Sequence, residues 1–383
     1  MKMKKRWLLV AMLAHVCASA GLAADPTITV QARQRYPWNG LVDINFTITG
    51  TSGTKYDTSF TAKDMVGNTN IAMRTIRKTD GTAAAAKEQL QPGTYSWVWD
   101  AAADLPKDFK CDHVTVTGTA NEYKPLYMVI DLSGGANASS YPVSYLDAVP
   151  SGGWGNAYKT TKLVLRRIEP GSFKMGGSYN VTLTKPFYCG VFEVTQKQYS
   201  LVMGTNPSYY KGDMLPVEYV SYNVIRGSSN GAKWPSSSAV DSTSFMGKLR
   251  VRAGRNFDLP SEAQWEYACR AGTTTTYYWG NSMNGNYAWY TGNSGLKTCV
   301  VGTKKANAWG LYDMSGNVYE WCLDWSGTLS GGTDPKGPTS GQWRVNRGGC
   351  WTTYEDACTS SYRHDNSPDS ISYYNGFRVC LIL

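Results

Sequence analysis

The stretch Gly310-Leu-Tyr-Asp-Met-Ser-Gly-Asn-Val-Tyr-Glu-Trp321 combines two carboxylates, an amide, a turn glycine and three large aromatic rings. Asp313 and Glu320 lie too far apart to share one helical face. A loop that doubles back at Gly316 would bring both carboxylates onto one cation, and calcium favours such a mixture of carboxylate and backbone carbonyl oxygens. The alternative is a turn with two solvated acids beside a buried aromatic strand. The residues by themselves leave both interpretations open.

Other segments accompany this stretch along the chain. They are Ile168–Gly176, Val191–Thr195, Pro216–Ser221, Leu259–Cys269, Tyr278–Gly280, Arg344–Gly349 and Gly376–Arg378. Together they resemble the formylglycine-generating enzyme family, also called the sulfatase-modifying-factor domain, over about residues 160–383. The resemblance implies an irregular α+β fold related to C-type lectins, in which calcium ions and disulfides supply order that sparse secondary structure does not.

Composition limits the classes of function. The 383 residues are 42% hydrophobic and 13% aromatic, with 39 glycines, which is typical of a globular, turn-rich chain. The net charge is +9, but the only basic cluster is Lys2–Arg6 at the N-terminus. We therefore expect no nucleic-acid binding, because a basic stripe is missing. Three histidines leave little room for a His-rich zinc site or a Ser-His-Asp triad.

Residues 1–24 have the pattern of a secretory signal peptide. The basic Lys2–Arg6 precedes the apolar run Trp7–Cys17, and Ala18–Ala20 or Gly21–Ala23 supplies small residues for cleavage. An N-terminal membrane anchor is the alternative, although the run is short for a span. We expect an exported protein, periplasmic, cell-surface or secreted, with no stable membrane span. Its cysteines beyond the leader can then form disulfides.

Residues 25–132 alternate apolar and polar positions between turn residues, which predicts short strands and no long helix. The strand candidates are Thr27–Gln31, Leu41–Ile48, Thr94–Trp99, His113–Thr117 and Leu126–Asp131. They predict an all-β, immunoglobulin-like sandwich domain that serves as a spacer or docking module. The composition of residues 133–158 predicts a linker, and residues 159–383 form the sulfatase-modifying-factor-like domain.

The resemblance also implies two structural calcium sites. One falls on Asp313, Gly316, Val318 and Glu320, where Gly316 and Val318 offer backbone carbonyls. The other falls on Asn286, Tyr287, Asn293 and Gly295, in a segment that is contracted relative to the family. There an amide replaces a carboxylate, and the lost charge should weaken calcium binding.

The cysteines decide between enzyme and binding module. Enzymes of the family oxidise a sulfatase cysteine to formylglycine with copper held by two cysteines, and thiolates select Cu(I). Counted forward from Gly349, the first copper position falls on Thr353 and the second on Cys358. Counted backward from Ser367–Asp369, Cys358 approaches a family cysteine that is disulfide-bonded to the position of Cys269. Under either alignment the first copper ligand is absent.

These alignments leave several pairings open. A Cys269–Cys358 disulfide would leave Cys350 buried or paired elsewhere, whereas a shifted catalytic pair would use Cys350 and Cys358. Tyr319 stands where the enzymes place an active-site tryptophan, which further disfavours catalysis. Cys189 and Cys380 lie in apolar, strand-like runs and are candidates to bridge the sheet.

The segment from Thr352 to Asn375 consists, to roughly two-thirds, of Thr, Ser, Tyr, Asp and Asn, the residues of adaptable recognition surfaces. It is similar to the diversified surface of ligand-binding variable proteins that share this fold. The alternative is an ordinary polar loop. The candidate ligand-binding residues are Trp351, Tyr354, Tyr362, Arg363, Asp365, Tyr373 and Tyr374.

The sequence therefore favours a non-catalytic, calcium-stabilised module that recognises an extracellular protein or glycan. The first alternative is a copper-dependent formylglycine-generating oxidase whose substrate is a sulfatase. The second is a structural envelope protein whose sandwich domain mediates assembly.

Overall fold

The computed structural model describes residues 26–383 except positions 38, 53, 108 and 110–112, so the predicted signal peptide lies outside the described residues. The chain divides into two compact units, Met1–Lys124 and Pro125–Leu383. Within the described part, no helix has both the length and the apolar character needed to cross a membrane.

The first unit is built from strands. These are β1 (Thr27–Gln34), β2 (Leu41–Thr49), β3 (Tyr56–Asp64), β4 (Thr69–Ile71), β5 (Ile76–Arg77), β6 (Glu88–Leu90), β7 (Gly93–Asp100) and β8 (Val114–Glu122), with the short helix α1 (Ala101–Asp104) after β7. One sheet has the order β1-β2-β7-β5, and in the other β3 pairs with β4, β6 and β8.

Alternation explains why these strands form sheets. In β2 the apolar Val42, Ile44 and Phe46 are buried, while the residues between them are at least partly exposed. Side chains of both sheets share one buried core. The described residues of this unit are rich in strands, and the all-β, immunoglobulin-like sandwich stays a prediction.

The second unit contains the remaining elements. Its strands are β9 (Tyr127–Asp131), β10 (Val143–Leu146), β11 (Lys162–Ile168), β12 (Gly171–Met175), β13 (Tyr179–Leu183), β14 (Phe187–Gly190), β15 (Tyr319–Trp325), β16 (Gly332–Thr333), β17 (Arg344–Arg347), β18 (Arg363–Asn366), β19 (Asn375–Gly376) and β20 (Cys380–Ile382). Its α-helices are α2 (Gln196–Met203), α3 (Tyr222–Arg226), α4 (Phe245–Ala253) and α5 (Glu262–Arg270), and short 3-10 helices span Asn156–Lys159, Gly231–Lys233 and Glu355–Cys358.

Three sheets organise this unit, with the orders β10-β9-β11-β14-β20, β12-β13-β16 and β18-β17-β15-β19. The predicted boundary between the domains needs correction. Strand β9, which we assigned to the sandwich domain, pairs with β10 and β11 of the second unit. The predicted linker 133–158 contains β10 and buries Tyr141 in the core. The Gly- and Ser-rich composition of residues 133–158 gave no sign of this packing, because only a few apolar residues attach the segment to the core.

The N-cap residue Ser261 explains where helix α5 begins. The Ser261 side chain accepts a hydrogen bond from the Gln264 backbone N–H, and the Gln264 side chain in turn accepts one from the Ser261 backbone N–H. The chain leaves the helix at Ala271 in the left-handed conformation. These contacts fix both ends of α5, which spans Glu262–Arg270.

Buried arginines connect the irregular segments. The Arg378 Nε lies 2.5 Å from Glu320 Oε2, and its Nη2 donates to Glu320 Oε1. The same guanidinium donates to the carbonyl oxygens of Gly190, at 2.8 Å, and Tyr312, at 3.0 Å. One side chain thus joins β14, β15 and the C-terminal segment.

We expect Glu320→Gln to lower the free energy of unfolding by about 3–5 kcal/mol, because it leaves the buried Arg378 without its counter-ion. Urea denaturation measures this change. Glu169→Gln is the control, since Glu169 pairs with Arg167 at the surface and should lose less than about 1 kcal/mol. Equal losses in the two variants would contradict this role for the buried pair.

Candidate functional site

The loop of residues 310–321 doubles back at Gly316, as the sequence predicts. Asp313, Gly316 and Asn317 all have left-handed backbone conformations. A Cβ at Gly316 would lie 2.1 Å from the Trp289 carbonyl oxygen, so only glycine fits this close approach. The Asn317 N–H then donates to that same carbonyl oxygen at 2.8 Å.

This turn brings three buried acids together. Glu320 is held by Arg378 and also accepts a 2.6 Å hydrogen bond from Trp265 Nε1. Asp313 Oδ2 accepts from the Gly302 N–H at 2.6 Å, while Asp313 Oδ1 has no hydrogen-bond partner.

Glu193 is the acid that the sequence analysis did not select. Its carboxylate accepts from Asn317 Nδ2 at 2.7 Å and from the Val318 N–H at 3.1 Å. A signal was present, because Glu193 is the one charged residue in the apolar run Val191–Val194. In an apolar run, a single carboxylate is more often expected at an exposed strand edge than in a buried site.

Negative charge exceeds positive charge in this cluster. Burial, followed by the nearby Asp313 and Glu320, raises the pKa of Glu193 well above its ordinary value. Burial likewise raises the pKa of Asp313 to about 6, which Arg378 and Lys159 counteract. A bound cation would relieve this repulsion.

The predicted calcium ligands at this turn fit in part. Asp313 Oδ1 is free to accept a cation, whereas both oxygens of Glu320 are already held by the protein. Among the described residues there is no group of three or more His, Cys, Asp or Glu side chains suited to a metal ion. Calcium would therefore depend on Asp313 and on backbone carbonyls such as those of Gly316 and Val318.

The other predicted calcium set does not fit the ion. The Asn293 amide donates to the carbonyl oxygens of Gly285, at 3.2 Å, and Ala288, at 3.0 Å, and accepts from the Tyr290 N–H. Lys304 Nζ also donates to Gly285, at 2.5 Å. Protein donors thus occupy oxygens that a metal would need.

The backbone of this set is used in the same way. The Asn286 carbonyl accepts from the Lys305 N–H at 2.9 Å, and the Tyr287 carbonyl accepts from the Tyr278 hydroxyl at 3.1 Å. Gly295 is a left-handed turn residue. Hydrogen bonds within the protein therefore contribute to the order of this loop.

The predicted Cys269–Cys358 disulfide is wrong for this structure, since both residues are free thiols. Cys269 on α5 has its sulfur 3.6 Å from the Met314 carbonyl oxygen. Cys358 instead lies beside Cys350, at the end of a 3-10 helix.

Cys350, Thr353 and Cys358 form a thiol cluster. The Thr353 hydroxyl accepts from the Cys350 N–H at 3.0 Å and donates to the Cys350 carbonyl at 2.9 Å. It also hydrogen-bonds with both thiols. Burial raises the pKa of Cys350 to about 11 and that of Cys358 to about 12. Both thiols are therefore protonated near neutral pH, whereas Cu(I) binding requires thiolates.

The predicted recognition residues divide into exposed and structural ones. Tyr354 is 76% exposed and Tyr373 is 43% exposed. Trp351 is buried and donates from Nε1 to the Tyr373 carbonyl at 3.1 Å. Arg363 forms a two-point ion pair with Glu262, so its charge stabilises α5.

The other predicted surface residues also have partners within the fold. Asp365 accepts a hydrogen bond from the Ser326 hydroxyl at 2.6 Å. Tyr362 interacts with the buried Tyr319, and the Tyr374 ring contacts the Tyr373 ring edge-on. These three residues therefore stabilise the surface through contacts within the fold.

A second segment, which the sequence analysis missed, joins this surface. The Tyr209 ring is 66% exposed and lies 6.0 Å from the Tyr373 ring. Tyr210 packs edge-on against Trp351 at 5.6 Å. The buried Glu218 carboxylate accepts from the backbone N–H groups of both Tyr209 and Tyr210 and so fixes their loop. The paired tyrosines at 209–210 were the available signal.

The second unit is thus a loop-rich domain with few helices, a glycine turn between buried acids and an enclosed cysteine cluster. This architecture is of the formylglycine-generating-enzyme type. The family model described as "Sulfatase-modifying factor enzyme 1-like domain" matches residues 156–382. The chain belongs to this family.

Several relatives match the chain. "Chaperone protein LppX" of Paenibacillus barcinonensis is 34% identical over 264 residues, covering 59% of this chain and 91% of LppX. "Formylglycine-generating enzyme" of Thermomonospora curvata is 37% identical over 144 residues, covering 31% of this chain and 48% of the enzyme. "Serine/threonine-protein kinase pkn1" of Chlamydia caviae is 39% identical over 127 residues, covering 31% of this chain and 20% of the kinase.

Two solved structures align with part of the chain. "Treponema denticola variable protein 1" aligns with a TM-score of 0.49 and 27% identity, covering 58% of this chain and 95% of that protein. PvdO from Pseudomonas aeruginosa aligns with a TM-score of 0.48 and 25% identity, covering 57% of this chain and 94% of PvdO.

Proposed function

We propose that this protein is a non-catalytic, calcium-stabilised recognition module that binds an extracellular protein or glycan. One contrast carries the proposal: Cys350 and Cys358 are fully buried, whereas the aromatic rings of Tyr209, Tyr354 and Tyr373 are exposed. A substrate cysteine would have to reach the buried thiols. A ligand can reach the tyrosines directly.

The aromatic surface suits recognition. Tyrosine offers a large, amphipathic contact area and loses little conformational entropy on binding. Tyr209 and Tyr373 come from separate segments and are held by Glu218 and Trp351, so the surface is preorganised.

Two further observations are consistent with binding rather than oxidation. The relative with the widest coverage among those described above is named a chaperone, and chaperones bind other proteins. The N-terminal leader pattern favours export, where the strand-rich first unit would act as a spacer or docking module.

The double variant Tyr209→Ala/Tyr373→Ala should weaken binding at least about 10-fold, because exposed aromatic anchors commonly supply most of the binding energy. Glycan and extracellular-protein arrays identify the ligand, and titration calorimetry measures its affinity. The control is Tyr179→Ala, which removes a tyrosine of similar exposure on β13.

Unchanged affinity in the double variant would contradict the aromatic surface as the binding site. Absence of any ligand, with and without chelator, would favour the structural envelope protein.

We expect calcium to raise the melting temperature of the protein, and Asp313→Asn to abolish that rise. Asp313 Oδ1 is the open carboxylate oxygen, and a ligand at 100 times its Kd adds about 2.7 kcal/mol of stability. Differential scanning calorimetry with calcium and with EGTA measures the shift. The exposed Glu355→Gln serves as control, and a calcium response that survives Asp313→Asn would rule out this site.

A formylglycine-generating oxidase is the second candidate, because Cys350 and Cys358 share the Thr353 hydroxyl. If copper bound, these thiols would hold it and copper would supply the redox chemistry. We expect no conversion of a Cys-x-Pro-x-Arg peptide to the aldehyde, as measured by mass spectrometry after incubation with Cu(I). Conversion that is lost in Cys358→Ser and retained in Cys322→Ser would establish the oxidase instead.

A further inference from the structure

Cys189 and Cys380 face each other across the antiparallel pair β14–β20. They are direct partners in the strand register. Both are fully or almost fully buried, both belong to the same apolar cluster, and both are free thiols. Their sulfurs therefore lie on the same side of the sheet.

The backbone pattern defines the kind of pair. The Gly190 N–H donates to the Val379 carbonyl at 2.8 Å. Cys380 exchanges both of its backbone hydrogen bonds with Asp258, at 2.7 and 2.8 Å, on its other side. Cys189 and Cys380 are thus a non-hydrogen-bonded pair, in which Cα atoms lie about 4.5 Å apart. This distance is within the range of about 4.4–6.8 Å that a disulfide requires.

A cavity borders one member of this pair. Cys380 lines a cavity of about 140 Å³ together with Trp234, Arg250, Leu323 and Ile382. The cavity is too small for a protein oxidant but has room for part of a small disulfide. Cys322 belongs to the same apolar cluster but has no cysteine opposite it in its strand pairing.

We propose that Cys189 and Cys380 are a reversible redox pair that forms a cross-strand disulfide by exchange with a small-molecule disulfide. The Cys380 thiolate attacks one sulfur of the reagent and releases the other half as a thiol. The Cys189 thiolate then attacks the Cys380 sulfur of the mixed disulfide and releases the second half. Two protein thiols are oxidised and one reagent disulfide is reduced to two thiols, so electrons and protons balance.

The bond would fasten the C-terminal strand to the centre of the domain. Strand β20 follows Arg378 closely, and β14 contains Gly190, which accepts from the Arg378 guanidinium. A covalent link at this point would hold the ends of that hydrogen-bond network together. It would also close a long segment of chain, which favours the folded state. This inference is independent of the proposed recognition function.

The test is treatment of the folded, full-length protein with cystamine, followed by peptide mapping without reduction. We expect a Cys189–Cys380 cross-link, a melting temperature higher by several degrees and reversal of both by dithiothreitol. Burial raises the pKa of the Cys380 thiol, so the reaction should be faster at pH 9 than at pH 7 as the thiolate fraction increases.

Cys189→Ser and Cys380→Ser should each lose the temperature shift, while Cys322→Ser keeps it. Peptide mapping of the wild type decides the question even if a serine variant fails to fold. Recovery of Cys189 and Cys380 as free thiols, as mixed disulfides with cystamine, or cross-linked to other cysteines would overturn the proposal.

Discussion

The ion pair between Arg378 and Glu320 is the contact on which the second unit depends. The Arg378 guanidinium binds both carboxylate oxygens of Glu320 and two backbone carbonyls, so its donors converge on three separate segments. Trp265 Nε1 of α5 binds Glu320 from another side. A chain with short strands and long loops needs such multivalent connections, because its backbone ladders are too short to align distant segments.

The same principle recurs elsewhere in the unit. Arg347 is fully buried and pairs with Glu266 of α5, and Arg226 pairs with Asp258. Buried ion pairs contribute little net stability compared with well-packed apolar groups, but breaking one is costly. These ion pairs therefore raise the free energy of conformations in which the loops are wrongly placed and a buried charge is left unpaired. Among the described residues, Glu193 and Asp313 have no arginine in a direct ion pair. Their negative charge is therefore less well compensated than that of Glu320, Glu266 and Asp258.

Local signals in the sequence predicted local structure well. Gly316 predicted a turn, and the alternation from Leu41 onwards predicted a strand. Signals that depend on distant neighbours were misleading. The largely buried β9 pairs with β11 rather than with the sandwich strands that precede it, and no local pattern encodes this choice.

The candidate site shows the same division. The sequence predicted Asp313 and Glu320 at the glycine turn, but it did not predict Glu193 there or the ion pair of Glu320 with Arg378, because these partners are far apart in sequence. Cys358 was assigned to a disulfide with Cys269 by alignment, although the structure places it beside Cys350 and Thr353. Tyr209 was missed because its loop joins the aromatic surface only after folding.

The thiol cluster sets the physical cost of a copper site in this domain. Cuprous ion requires deprotonated sulfur, and removing a proton from a thiol with a pKa near 11 or 12 costs several kcal/mol at neutral pH. Metal binding would have to offset that cost for both sulfurs. The Thr353 hydroxyl lowers the pKa of both thiols, but burial outweighs its effect. A cysteine in place of Thr353 would add a soft ligand that this chain lacks at that position, and this missing ligand is one reason why we propose recognition rather than oxidation.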